Sequence, residues 1–370
     1  MTSIDRPDAP SRIAAHSPRL RRARCLVCYW DAGHALIAHP YPYGRPTPLP
    51  PPSAAVLAAF DDWTTAAEAL PDLSPLTDAV GHLHARGLLL AEGTPEAARD
   101  AELAAHWDGW APQAPFLHYT SQDGVPPTGL IPPASGPFTT YPYARRLRLP
   151  DQPTDLTAPF GDVLYQRRTH YAFAAAPVPL ATLSRLLTAV FAPTEHLGST
   201  PQGALFRRTS PCAGARQELE AYLAIRDVAA VPPGWYHYNV AEHSLELLTE
   251  GCTGAQIIEA CDDQAWTGEA AFLVVLSAVV ARQLTHHPGP RSYRVCLLDA
   301  GHLGQTFTLT ATALGLASFQ LAAFRDSTLA TRLGLDNITQ TPLHLLGAGL
   351  PADAAVLTPA ESEHQEPGTT

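Results

Sequence analysis

Three short blocks bring together side chains with chemical capacity. Arg167-Arg168-Thr169-His170 sets two guanidinium forks beside a hydroxyl. Such forks match phosphate oxygens bidentately, and the hydroxyl adds a donor. Arg208-Thr-Ser-Pro-Cys-Ala-Gly-Ala-Arg216 centres on small residues at 210–215. A turn of that kind lets backbone approach a bound group closely. Tyr293-Arg294 runs into Asp299-Ala-Gly-His-Leu-Gly-Gln305. Each block also has a plainer reading. The arginines suit a solvated pair at the start of a helix. Ser210 suits the cap of a helix N-terminus, and Gly301 and Gly304 suit a helix–helix contact. His302 alone suits a satisfied core histidine. Imidazole as a group titrates near neutral pH, so His286 or His287 could serve as a base, or both simply sit in a proline-rich surface turn.

The surrounding pattern says which elements must position these groups. Residues 24–38 read as a strand pair turning at Asp31-Ala-Gly33. Three helical stretches follow: 54–60 capped by Ser53, 66–70 capped by Thr64, and 76–86 preceded by Ser74. Gly87 ends the last, and Leu88 begins a strand. Three helices and then a strand is the order of a winged helix. It leaves open DNA binding or the pairing of an extended peptide along an edge strand. A helix is expected at 96–107, within a long connector. Beyond residue 160 the pattern predicts an amphipathic helix at 180–191 and helix formers turning apolar at 218–225. A hairpin at 235–248, a buried strand at 272–280, a long helix at 297–316 and a last strand at 342–347 follow. The expected class is α+β. The expected division is 1–20 disordered, 21–95 winged-helix-like, 96–159 connector, 160–351 the main domain and 352–370 a disordered tail.

Composition narrows the function classes. Hydrophobic residues at 46% suffice for a packed core, and the net charge of −11 disfavours a nucleic-acid partner. Every basic residue is arginine, so Schiff-base chemistry and lysine general bases are excluded. Six scattered cysteines without a signal-peptide pattern point to free thiols in a reducing cytoplasm. Cys25 and Cys28 lack a second pair to complete a zinc site and read as strand residues. No apolar run is long enough to span a bilayer. No metal-ligand cluster, Walker loop, Ser-His-Asp order or dinucleotide fingerprint stands out, and no metal is expected.

In this order and at these separations, the three blocks resemble the FMN-binding nitroreductase superfamily. They resemble most its SagB-type azoline dehydrogenases, which make thiazoles and oxazoles in ribosomal peptides. The resemblance covers roughly 20–350 and implies a nitroreductase-like mixed sheet flanked by helices. It implies FMN held by Arg167, Arg168, Thr169, Pro211, Cys212, Ala213, Gly214, Arg291 and Gln305, with a backbone N–H of Ala322-Ala323-Phe324 facing flavin N5. It further implies a homodimer, a peptide substrate with a leader segment bound by the N-terminal winged-helix element, and a cyclodehydratase or dehydratase partner. The chain departs from the family in four places. Cys212 stands where the family has Ser. Ala322 and Ala323 stand where it usually has Gly. Tyr171 stands where it often has a basic residue. His287-Pro288 stands where it has a Lys-Tyr pair. His287 and Tyr293 are therefore the catalytic candidates. Reduction of another substrate with NAD(P)H, or a peptide-binding scaffold whose flavin site has decayed, are the other readings.

Overall fold

The computed structural model describes residues 17–42, 44–71, 77–122, 136–151, 156–200, 203–284 and 289–352. The stretches 1–16 and 353–370, the helix start at 74–76, and His286 and His287 lie outside the described residues. The chain divides after Gly124 into two units.

In the first unit, β1 (Leu20–Arg22) pairs antiparallel with β5 (Leu89–Ala91). β2 (Leu26–Trp30), β3 (Leu36–Pro40) and β4 (Thr47–Pro48) form a separate antiparallel sheet. The β2–β3 turn is fixed by Asp31, whose Oδ1 accepts from the N–H groups of Gly33 and Ala35 at 2.9 and 2.8 Å. Helices α1 (Pro51–Ala59), α2 (Ala66–Ala69) and α3 (Thr77–Ala85) then precede β5. Two caps differ from expectation. Pro50 precedes α1 and Pro51 opens it, so Ser53 lies inside the helix; proline's fixed φ suits a first turn whose N–H would be unpaired anyway. Thr65 rather than Thr64 caps α2, in a capping box with Glu68. Thr64 is engaged in a two-way backbone bridge with Leu20.

Helices α4 (Pro95–His106) and α5 (Gln113–Thr120) belong to this unit, although the sequence reads as connector there. Asp100 of α4 is buried and accepts from Arg21 at 2.8 Å and from the backbone of Arg24 and Cys25. Phe116 and Tyr119 of α5 pack on Tyr41.

The second unit is a seven-stranded sheet in the order β13-β14-β12-β9-β10-β11-β6, every pairing antiparallel. The strands are β6 (Arg145–Arg148), β9 (Leu219–Ile225), β10 (Gly234–Asn239), β11 (Ser244–Glu250), β12 (Phe272–Ala278), β13 (Ala317–Leu321) and β14 (Thr341–Gly349). A separate hairpin joins β7 (Glu195–Thr200) and β8 (Gly203–Arg207). The helices are α6 (Phe160–Gln166), α7 (Leu180–Phe191), α8 (Gly254–Ala260), α9 (Val280–Leu284), α10 (Arg291–Ala313) and α11 (Asp326–Leu333). The α+β class and the flanking helices are as expected. The sheet itself is antiparallel rather than mixed, since among the described residues no strand of it pairs with a parallel neighbour.

Side-chain alternation explains the layering. Leu219, Ala221, Leu223 and Ile225 of β9 face α7 and α10, whereas Tyr222 and Ala224 face α8 and α11. The stretch at 218–225 looks helical because Leu, Glu and Ala favour helices. Pairing with β10 and β12 on either side overrides that preference. Helix α10 starts six residues before the expected 297 and stops at Ala313, where Gly315 takes φ +72. Among the described residues, no helix is long and apolar enough to cross a membrane.

A charge ladder, buried except at its Arg146 end, crosses four strands on the α8/α11 face. Arg282 of α9 meets Glu220 at 2.6 Å. Glu220 meets His237 Nε2 at 3.4 Å, His237 Nδ1 meets Glu246 at 2.8 Å, and Glu246 meets Arg146 at 3.2 Å. The same carboxylates accept from the N–H groups of Thr139 and Tyr141, which holds the segment ahead of β6 on the sheet. Burial pulls the His237 pKa down, but its two glutamate partners outweigh burial and leave it raised above 6.5. Burial pushes Glu220 and Glu246 up, but hydrogen bonds from His237, with Arg282 beside Glu220 and Asn239 on Glu246, bring both to about 2.

Two outcomes follow from this packing. His237→Leu leaves two buried carboxylates without their shared donor and should cost about 3–5 kcal/mol in a urea titration. In the wild type, the glutamate contribution is lost as pH falls from 4.5 toward about 2, since their folded pKa values are depressed. The histidine contribution is complete below 6.5 and lost as pH rises through its raised folded value. The alkaline loss should disappear in the variant; an unchanged alkaline limb would remove His237 from this role. Separately, a Cβ on Gly347 would lie 2.2 Å from the buried Phe319 ring. Gly347→Ala should therefore lower stability by about 1–3 kcal/mol, read as a fall in thermal midpoint.

Candidate functional site

Helix α10 is the element around which the candidate residues gather. It packs against α6, α7, α9, β9, β13 and β14. Ala300, Leu303, Phe307 and Ala311 bury one face, while Tyr293, Leu297, Gly301 and Gln305 are exposed on another. Gly304 faces the sheet, where a Cβ would lie 2.4 Å from Gln320 Oε1 and 3.0 Å from His344 Nε2. Gly301 has nothing within 4 Å of a built Cβ. The expected helix–helix glycine contact is thus a helix–sheet contact at Gly304 and an open surface at Gly301. His302 is exposed rather than a core residue, and its Nδ1 lies 3.2 Å from Asp299 Oδ1.

The small-residue turn docks on this helix. Ala213 N–H donates to Asp299 Oδ2 at 3.0 Å, and Ser210 Oγ donates to Thr306 Oγ1 at 2.6 Å. From α9, the amide of Gln283 donates to the Ala213 carbonyl at 3.2 Å. Gly214, Ala215 and Gln217 all have positive φ, of 65, 52 and 50°. Only Gly214 takes that conformation without a side-chain penalty. The turn does not enter a helix, as the sequence suggests. After a single 3-10 turn (Ala213–Ala215) it runs directly into β9. Pro211 and Gly214 remain exposed, with Cys212 and Ala213 half-buried.

The arginine block lies at the end of a helix, not at its start. Arg167 closes α6 and is half-buried; Arg168 is exposed, its Nη1 donating to the carbonyls of Tyr165 and Arg167 at 2.7 and 2.8 Å. A cation at a helix C-terminus is favoured by the dipole. Thr169 is exposed, and His170 is tied by its backbone N–H to the Ser318 carbonyl at 3.0 Å. That bond sets the block beside β13, whose far end leads to Ala322, Ala323 and Phe324. Ala322 and Ala323 are exposed and have no positive φ, so alanine is unstrained where the resemblance expects glycine. Arg291 begins α10 and is exposed, and Tyr293 is 38% exposed on its first turn. Tyr171 packs edge-on against Trp266, centroids 4.9 Å apart.

One cluster escaped the sequence reading. Cys212, Glu218 and Asp299 converge although they lie 6 and 81 positions apart. The Cys212 thiol donates to Glu218 Oε2 at 3.4 Å, and its sulfur accepts from Gln217 N–H at 3.2 Å. Burial, then the charge of Asp299, raises Glu218 to about 7. Burial, then Glu218, pushes the thiol well above its ordinary value. No linear spacing announces this trio. The only sequence signal was a cysteine where the resemblance expects serine.

The nitroreductase family model matches residues 164–350. A protein of Methanocaldococcus jannaschii named as a nitroreductase, MJ1384, is 31% identical over 188 residues, 51% of this chain and 89% of that one. The trifolitoxin-processing protein TfxB of Rhizobium leguminosarum bv. trifolii is 27% identical, over 45% of this chain and 47% of its own. The microcin B17-processing protein McbC of Escherichia coli is 26% identical, over 44% of this chain and 59% of its own. The chain thus spans about half or slightly more of the two peptide-processing relatives.

Proposed function

For a chain that belongs to the nitroreductase family, we propose an FMN-dependent oxidoreductase that oxidises azolines to azoles in a ribosomally made peptide. The observation that carries this reading is the turn at 210–215. It is pinned to α10 through Asp299, with Pro211 and Gly214 outward. The same helix displays Gln305 and packs against α6, whose end bears Arg167. Similarity to proteins named for trifolitoxin and microcin B17 processing supports a peptide substrate.

The residues suit FMN. Arg167, Arg168 and Thr169 supply the cations and hydroxyl that a phosphate monoester requires. Pro211, Cys212, Ala213 and Gly214 leave little side chain over the ring surface, and Arg291 and Gln305 add donors along α10. The Ala322-Ala323-Phe324 segment, exposed at its two alanines, offers a backbone N–H to the ring edge. The Cys212 thiol is committed to Glu218, so it does not replace an outward serine hydroxyl. Bound there, FMN would supply a two-electron acceptor for hydride. The chain's own work is to orient the azoline, exclude water and take the proton from its α-carbon. We assign proton uptake to His287, with Tyr293 positioned on the first turn of α10.

The exposed stripe of Tyr293, Leu297 and Gly301 supports a homodimer with α10 at its interface. In the first unit, β2 is an edge strand with Cys28, Tyr29 and Trp30 exposed, which supports leader-peptide pairing there. A cyclodehydratase would supply the azoline. The nitroreductase name of MJ1384 favours a second reading, reduction of a small molecule by NAD(P)H.

One experiment separates these readings: purified protein loaded with FMN, kept anaerobic, and mixed with an azoline peptide or with NAD(P)H. Bleaching of the flavin by the azoline peptide is expected. Bleaching by NAD(P)H alone favours the second reading, and failure to bind FMN defeats both. Arg167→Ala should weaken FMN binding by about 1.5–3 kcal/mol, measured by fluorescence quenching. His287→Ala should retain FMN and slow turnover; unchanged turnover would remove that histidine from the mechanism.

A further inference from the structure

We propose that Cys212, Glu218 and Asp299 bind a single zinc-class divalent cation between the 210–218 turn and α10. One sulfur and one oxygen from each carboxylate lie within 4.8 Å of one another. The Cys212 Sγ to Glu218 Oε2 separation is 3.4 Å. Sulfur and oxygen held tetrahedrally on zinc, at about 2.3 and about 2.0 Å, would stand roughly 3.5 Å apart.

Two further observations point to an occupant. A cavity of about 10 Å³ is walled by these three residues with Arg208, Ser210 and Gln217. That is room for about one water-sized particle. Glu218 is fully buried, and among the described residues no donor reaches its Oε1. A buried carboxylate with one oxygen left without a donor is costly, and a cation held through Oε2 neutralises the charge that both oxygens share. Two ligands already have orienting partners of the kind that surround metal sites. Gln217 N–H donates to Sγ at 3.2 Å, and Asp299 is held by Ala213 N–H at 3.0 Å and by His302 at 3.2 Å.

Arg208 is the apparent objection, being a buried cation in the same wall. Its Nη1 donates to the Leu219 carbonyl at 3.3 Å, and its guanidinium lies over the Phe206 ring. A thiolate and two carboxylates carry three negative charges. A divalent cation and Arg208 together cancel them, so the arginine completes the neutral set. With three protein ligands, the fourth tetrahedral position is left to water.

The test needs neither flavin nor peptide, so its outcome is independent of the redox reading. Full-length protein, treated with chelator and freed of flavin, is titrated with cadmium and then zinc. One equivalent per chain is expected, with an ultraviolet cadmium–thiolate band and a rise in thermal midpoint. Cys212→Ser should abolish the band, and Cys28→Ser, at an exposed thiol, should keep it. Glu218→Gln fills the same volume and should fold while binding at least about tenfold more weakly. The proposal is overturned by absence of stoichiometric binding, or by a band that survives Cys212→Ser. It is equally overturned by unchanged affinity in Glu218→Gln. A water bridging Arg208 Nε and Glu218 Oε1 would then account for the cavity.

Discussion

Burial of β9 and β12 on both faces is the constraint on which the second unit depends. Every residue of both strands is buried, so the sheet must be covered twice. Leu183, Leu186, Leu187 and Val190 of α7, with Ala300, Leu303, Phe307 and Ala311 of α10, cover one side. Ile257 and Ala260 of α8, with Leu329 and Leu333 of α11, cover the other. Each buried Leu or Phe contributes roughly 1.5–3 kcal/mol, so the α10 face is locked by several such contacts. That locking makes the exposed face of α10 a rigid platform, and the turn entering β9 has to reach it. Asp299 converts this proximity into a defined backbone position.

The charge ladder and the site trio show two uses of buried polarity in one sheet. In the ladder, Glu220, His237, Glu246, Arg146 and Arg282 satisfy one another and fix the segment 136–141. It is a structural network in which each charge has a partner of opposite sign. At the turn, Glu218 and Asp299 are two acids beside a thiol, with one oxygen left over. The contrast separates a region whose charges are paired from one whose buried acids are incompletely paired.

Much of the fold was legible because local and tertiary preferences agree. The apolar spacing of 183, 186, 187 and 190 marks α7 at its observed bounds. The aromatic stretch at 235–239 and the stretch after Ser244 form the expected hairpin. The misreadings have identifiable causes. Strand β9 reads Leu-Glu-Ala-Tyr-Leu-Ala-Ile, helix-favouring residues held extended by two neighbours. The start of α10 is not legible in the sequence because 291–295 are mostly polar and carry no apolar run. At the site, the resemblance named the turn and the arginine block. It could not show that Asp299 holds the first, or that a helix end presents the second. Those contacts join positions 86 residues apart or depend on where α6 stops.

Strand β6 closes one side of the sheet with the sequence Arg-Arg-Leu-Arg, and among the described residues no strand lies beside its outer backbone edge. Arg145 and Arg148 are exposed there. A second molecule attempting to extend the sheet would bring its own arginines against these, in a chain that has no lysine to vary the pattern. Positive charge on a terminal strand thus guards against runaway stacking.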